Sequence, residues 1–323
     1  MSIRSAMLAA AERSVDILGL KRRDAAVRFL QSRHTADGGF ADRAGKSDLY
    51  YTVFGVEALA ALKSRDSHYF SPAQGGRSGE ESSDCPDFSA SLRRHLTTYG
   101  AGDGLDFVHL ACLARAWAGL GEDCPDAGEI LRRIELHHCA DGGYSQSPAG
   151  GTGTAYGCFL ALAAYQDLGA ALPDPAGVAA SLEALVRPDG GFANDRDLPI
   201  GLTPATAAAV TALVELGRPV PSSAAGWLFA RQSPQGGFLA MPEAPIPDLL
   251  STATALHALA RVASPGAPGA VDSALPPADA ARMRDFVLGL LTDSGGFAGS
   301  AADPTPDCEY TYYGLIALGH LAR

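Results

Sequence analysis

The stretch Val186-Arg187-Pro188-Asp189-Gly190-Gly191-Phe192 decides the fold. An acidic turn residue is followed by two glycines and then a large aromatic. Adjacent glycines permit positive φ, so the chain can reverse sharply, and the aromatic is placed to plug the gap between the elements it joins. The same tripeptide stands at Gly38-Gly39-Phe40, Gly142-Gly143-Tyr144, Gly236-Gly237-Phe238 and Gly295-Gly296-Phe297. Asp37, Asp141 and Asp293 precede three of these within two residues.

Upstream of the turns lie amphipathic stretches, for example residues 25–31, 130–136 and 280–291. Their apolar residues recur at three and four, the period of a helix with one buried stripe. Downstream come helices apolar nearly all round, predicted over 52–62, 154–162, 203–213, 252–259 and 311–321. Such helices must be buried on nearly every side. A sixth, degenerate unit has helices over 91–98 and 107–120 around the turn Gly102-Asp103-Gly104-Leu105. Units recur at a spacing of roughly 40 to 60 residues, which marks a repeat architecture. One hairpin cannot bury its inner helix, but a ring of hairpins can. An open stack would need polar caps at its ends, and the last unit is as apolar as the first. The expected fold is all-α: an α/α toroid (α6/α6 barrel) of about six helical hairpins, forming one domain over 1–323. The Ser/Gly/acid-rich segment 65–87 and the Pro/Ala-rich segment 264–277 are expected as surface loops.

Bulk properties agree. The chain has 323 residues, 47% of them hydrophobic, enough to fill a large core. Its net charge of −11 repels phosphate backbones and argues against nucleic acid as a partner. No apolar run is long enough to span a membrane. Residues 1–24 carry scattered charges and read as a first helix, not a signal peptide. Six cysteines form no Cys-x-x-Cys pair, which suits reduced thiols and a cytoplasmic location.

Aligning the inner helices on Thr52, Leu110, Thr154, Thr203, Thr252 and Thr311 reveals an acid four residues earlier in four units: Asp48, Asp106, Asp248 and Asp307. Aspartate is a good helix N-cap. If the inner helices run parallel, these carboxylates ring one mouth of the toroid. Crowded, part-buried acids raise one another's pKa, which suits a proton donor or a cation site. The same rim would carry Tyr50, Tyr51, His109, Ser251, Cys308, Glu309 and Tyr310. Deeper would lie Phe54, Tyr156, Phe159, Tyr312 and Tyr313, an aromatic lining suited to a long apolar ligand.

The Gly-Gly-aromatic turn followed by Asp48-Leu49-Tyr50-Tyr51-Thr52-Val53-Phe54-Gly55 or Asp307-Cys308-Glu309-Tyr310-Thr311-Tyr312-Tyr313-Gly314 resembles the prenyltransferase and squalene-oxidase repeat. In length and layout the chain resembles a protein prenyltransferase β subunit. That resemblance implies an isoprenoid substrate, a helical partner subunit, and a zinc held by an Asp-x-Cys and an Asp-x-x-His motif in the last two units. Here Leu250 stands in place of the Cys and Tyr310 in place of the His, so the ligand set is incomplete. A rearranged zinc site would draw on Asp248, Asp307 and Cys308. The diphosphate clamp that the resemblance implies is thin as well. Gly153 stands where an Arg is expected, and residues 241–247 hold no base.

Three functions follow as expectations. The first is a divergent prenyl transferase using Asp307, Asp248, Cys308 and Tyr310, with Asp48, Tyr51, Phe54, Asp106, His109, Tyr156 and Tyr313 against the substrate. The second is a terpene-cyclase-like enzyme that protonates an alkene with Asp307 beside Cys308 and Glu309, although no Asp-x-Asp-Asp run occurs. The third is a module that binds a lipid or a protein without catalysis.

Overall fold

A computed structural model describes residues 1–63, 88–148, 150–263 and 275–322. The loop expected at 65–87, with Cys85, and residues 264–274 of the loop expected at 264–277 lie outside the described residues. The second loop ends earlier than expected, because Pro277 opens a helix. The fixed φ of proline suits the first helical position.

Among the described residues helix α1 (Ile3–Arg13) precedes six helical pairs. These are α2 (Val15–Arg33) with α3 (Leu49–Lys63), α4 (Phe88–Thr97) with α5 (Phe107–Leu120), and α6 (Ala127–Glu135) with α7 (Ala155–Asp167). Then follow α8 (Pro175–Glu183) with α9 (Thr203–Glu215), α10 (Ser222–Phe229) with α11 (Leu249–Ala263), and α12 (Pro277–Gly289) with α13 (Cys308–His320). Short antiparallel pieces sit in two of the turns: β1 (Phe40–Ala41) with β2 (Ser47–Asp48), and β3 (Phe297–Ser300) with β4 (Asp303–Asp307).

The second helix of each pair is the inner one. Each inner helix packs on the next from α3 through α5, α7, α9 and α11 to α13, and α13 packs back on α3. The outer layer shuts in the same way. Gly190 has φ +93, and a Cβ on Gly191 would enter the Trp227 ring of α10. The last turn makes the same approach to the first outer helix: Gly295 abuts the Ala25 carbonyl of α2, and a Cβ on Gly296 would strike Phe29. The fold is thus a closed α/α toroid.

The turn aromatics Phe40, Tyr144, Phe192, Phe238 and Phe297 are at most 1% exposed. Their buried N–H groups need an acceptor, which the following inner helix supplies. Phe40, Phe192 and Phe238 donate to Thr52, Thr206 and Thr252 Oγ1 at 2.9 Å, and Phe297 donates to Thr311 at 3.1 Å. Tyr144 donates to the Cys158 sulfur at 3.4 Å. This corrects the register of two units: Cys158 and Thr206, not Thr154 and Thr203, correspond to Thr52. With that shift the caps of α7 and α9 are Thr154 and Leu202. Those helix starts need no acid, because Ala155 N–H donates to the Asn194 carbonyl and Thr203 N–H to the Ala240 carbonyl, both at 2.8 Å. Thr206→Val should therefore leave the Phe192 N–H unpartnered and cost about 1–3 kcal/mol in denaturant unfolding, while leaving the far-ultraviolet spectrum unchanged.

Residues 1–24 hold two helices where one was expected. Gly19, at φ +67, breaks α2 near its start, and α1 packs on the inner helices α3, α7 and α13. Arg4 Nε meets Glu57 Oε1 at 2.5 Å, Ile3 N–H donates to Gln166 Oε1 at 2.8 Å, and Arg13 Nε donates to the Gly319 carbonyl at 3.0 Å. Gln166 and Gly319 lie in the last turns of their helices. Helix α1 therefore plugs the end of the toroid opposite the acidic caps.

Candidate active site

Because the inner helices run parallel, their N-caps gather at one mouth, but the capping acids there make separate local arrangements. Asp307, the cap of α13, is fully buried. Its Oδ1 accepts from Tyr310 N–H at 2.8 Å and its Oδ2 from Arg43 Nε at 2.7 Å. Arg43 reaches on to Asp303 at 2.6 Å, and its guanidinium lies 5.5 Å from the centre of the Tyr310 ring. Asp248 caps α11 and accepts from both the backbone N–H and the hydroxyl of Ser251 at 2.7 Å; burial nevertheless raises its carboxyl above the usual range. Asp106 caps α5. Partial burial alone would raise it, but the backbone N–H and ring of His109 hold it low. Asp48 accepts from Tyr51 N–H at 3.1 Å and lies 3.9 Å from His109 Nε2. Cys308 is fully buried, and desolvation pushes its thiol up to about 12.

The zinc set suggested by the sequence does not assemble. Among the described residues no three His, Cys, Asp or Glu side chains converge as a metal site. Asp307 is already satisfied by Arg43 and its own helix, and Leu250 lines an apolar wall. The five described cysteines are unpaired.

Inside the ring lies a cavity of about 510 Å³. It is bounded by Tyr50 of α3, Tyr156 and Phe159 of α7, the small residues Ala205, Ala207 and Ala208 of α9, Leu250 and Ala253 of α11, Tyr313 and Ile316 of α13, and Met7 of the plug. That volume suits a small-molecule ligand. Of the residues singled out in the sequence as substrate contacts, Tyr156 and Tyr313 line it. Phe54 packs behind Tyr313 and Tyr50, at 5.6 Å and 4.9 Å between ring centres. Tyr51 stacks edge-on against Tyr50 at 5.8 Å. Asp48, Asp106 and His109 cluster at the rim over α3 and α5, outside the lining.

Among the described residues the lining contains one carboxyl, Glu309, and no Lys or Arg. Tyr50 OH donates to Glu309 Oε1 at 2.7 Å. Burial, chiefly, and the neighbouring Asp307 raise the Glu309 carboxyl, with the Tyr50 hydrogen bond and Arg43 opposing them. Glu309 is thus a part-buried acid biased toward its protonated form, facing aromatic walls. Gln146 and Asn194, both on turns near the mouth, add neutral hydrogen-bonding groups, and Thr211, Thr254 and His257 lie along α9 and α11. The sequence named Glu309 as a rim residue and offered Asp307 as the candidate acid; in the structure Asp307 is engaged by Arg43 and its own helix, and Glu309 is the one that lines the cavity. The available signal was position: Asp307 is the cap, whose side chain bends back to its own helix, and Glu309 sits two residues on. Nothing in the sequence marked Met7, Asn194 or His257.

A closed double ring of helices around one apolar hollow, with the inner N-termini at its mouth, defines the class. The prenyltransferase alpha-alpha toroid domain matches residues 9–95 and 207–323, more than half of the chain. The chain belongs to that family. Among solved structures it is similar to a variant of the type II terpene cyclase MstE from Scytonema in complex with merosterolic acid A, its product. The identity is 13%, over 96% of this chain and 97% of that one, with a TM-score of 0.59. It is similar to a second MstE variant, in complex with the substrate geranylgeranyl dihydroxybenzoate, at 13% identity over 97% of each chain with a TM-score of 0.58. It is also similar to Candida albicans protein geranylgeranyltransferase-I complexed with GGPP, at 15% identity over 91% of this chain and 89% of that one, with a TM-score of 0.58. No curated protein sequence matches. Among the described residues no helix is long and apolar enough to cross a membrane.

Proposed function

We propose that this toroid binds a polyprenyl chain bearing a neutral head and isomerises it by protonating an alkene, with Glu309 as the proton donor. The observation that carries the reading is the cavity lining, which among the described residues has one carboxyl and no Lys or Arg. A diphosphate leaving group needs positive charge where it departs, and the base nearest the Asp307 cap, Arg43, already bridges Asp303 and Asp307. An alkene instead needs an acid that stays protonated and walls that tolerate a cation. Burial supplies the first, and the ring faces of Tyr50, Tyr156, Phe159 and Tyr313 supply the second.

In the step, the Glu309 proton goes to one alkene carbon and the π pair becomes the new C–H bond. The cation left on the adjacent carbon draws the π pair of the next double bond, closing a C–C bond. Tyr50 holds Oε1, leaving Oε2 to carry the proton. That MstE, a toroid of similar fold, was seen with geranylgeranyl dihydroxybenzoate is consistent with a head of this kind. The five described thiols are unpaired, which suits a reducing compartment, the cytoplasm.

The test is incubation of the purified chain with geranylgeraniol or a geranylgeranyl phenol in D2O. The expected product is an isomer carrying solvent deuterium at the initiating carbon, formed without added metal. Turnover only of a diphosphate, with release of pyrophosphate, would replace this reading with transfer chemistry.

A further inference from the structure

Among the described residues, Met7 is the one lining residue that belongs neither to the inner ring nor to the turns at its mouth. Its helix, α1, crosses beneath the hollow. At the start of α1, Ile3 N–H donates to Gln166 Oε1 in the last turn of α7, at 2.8 Å. Further along, Ala10 is pressed so close to α13 that a Cβ on Gly319 would overlap its carbonyl oxygen. Ile3 and Ala10 are at most 1% exposed. Met7 stands four residues after Ile3 and three before Ala10, the spacings that share one helix face. Its side chain therefore lies between the ends of α7 and α13, over the hole in the ring. The inner helices give the depth of that floor. On α9, α11 and α13 the last residues to line the cavity are Thr211, His257 and Ile316, each nine past its cap, Leu202, Asp248 or Asp307. At 1.5 Å per residue the floor is roughly 14 Å below the mouth. One helical turn beyond Thr211 and His257 stand Glu215 and Arg261. These two pair with each other, and Gln166 Nε2 donates to Glu215 Oε2 at 3.3 Å. Below Met7 the apolar wall thus gives way to buried charges.

We propose that Met7 sets the longest polyprenyl chain that the toroid accepts. The inference rests on the reading that the hollow holds such a chain with its head at the mouth. The hydrocarbon end then runs down the small-residue wall of α9 and stops against the thioether. Methionine is unbranched and fills irregular gaps, so it can seal the floor around that end. A chain one isoprene unit longer meets Met7 first and the Glu215–Arg261 pair behind it, and neither leaves it apolar room. Length is read in this way by a helix that is not part of the ring. Met7 stands ahead of residue 9, where the match to the family domain begins. Trimming Met7 to alanine opens apolar space down to the charged pair. Enlarging it raises the floor.

The experiment measures dissociation constants by titration calorimetry for farnesol, geranylgeraniol and geranylfarnesol, each one isoprene unit longer than the last. All proteins carry Glu309→Gln, so no turnover intervenes and the result does not depend on the acid. One methylene too many in an apolar pocket is worth about 10–200-fold in discrimination. The parent protein should therefore bind geranylgeraniol at least about 10-fold more tightly than geranylfarnesol. Adding Met7→Ala should raise the affinity for geranylfarnesol relative to geranylgeraniol by about 10-fold or more. Adding Met7→Trp should lower the affinity for geranylgeraniol relative to farnesol by a similar factor. A purely structural role would weaken all three alcohols alike and leave the ratios alone. Unchanged ratios in both variants, or a parent protein that binds geranylfarnesol as tightly as geranylgeraniol, overturn the assignment of Met7 and leave the polyprenyl site standing. A parent protein that binds none of the three overturns the polyprenyl site itself.

Discussion

Glu309→Gln should lower turnover of a diphosphate-free polyprene by about 10²–10⁴-fold, the range by which a positioned general acid contributes. Glutamine matches glutamate in shape and can still accept from Tyr50, so the fold and the affinity for substrate should survive. Titration calorimetry with geranylgeraniol should give similar binding to both proteins, and the loss should fall on kcat. For the wild type a directional pH dependence is expected. Burial raises the carboxyl, so the protonated form that the proposal requires should persist above the ordinary glutamate range. Turnover should be retained at acid pH and fall as pH rises through that raised value. Asp307→Asn tests the alternative acid. Asp307 caps α13 and pairs with Arg43, so this change should lower stability more than it lowers kcat per folded molecule.

Gly319→Leu should unseat the plug helix. A Cβ at Gly319 would overlap the Ala10 carbonyl oxygen, and backbone cannot yield as a flexible side chain can. Shifting α1 also strips Arg4 from Glu57, whose side chain is only 1% exposed. Removing one partner of a buried ion pair costs about 3–5 kcal/mol. A melting temperature several degrees lower is expected, with rapid proteolysis of residues 1–20 while the six-hairpin ring stays intact. Gly289→Ala is the control: a Cβ there meets nothing within 4 Å, and alanine favours a helix over glycine. That variant should be neutral or slightly stabilised.

The toroid is legible in the five Gly-Gly-aromatic turns because each demands the same two things locally: a sharp reversal and a burial site for one ring. The interval from aromatic to helix acceptor is also local, which is why Thr52, Thr252 and Thr311 align correctly. It misleads at Thr154 and Thr203, which start their helices, because Cys158 does a threonine's work in one unit and the acceptor in the other is Thr206, a turn further on. The plug is invisible in sequence. Helix α1 looks like any amphipathic segment, and its identity depends on partners more than fifty residues away, Glu57 and Gln166. Which of the two rim carboxyls lines the cavity turns on similar detail. Asp307 and Glu309 are two residues apart, yet about 100° of rotation per residue sends their side chains to different places. Arg43, on the far side of the chain in sequence, decides which of them is left to face the cavity.

The central claim is most directly tested by a crystal structure of Glu309→Gln soaked with geranylgeraniol. The polyprene is predicted within the ring, between Tyr156, Phe159 and Tyr313, with a double bond beside residue 309 and the chain running toward His257. A polyprene bound on the outer helices, or a hollow filled by side chains with no ligand in it, would contradict the account.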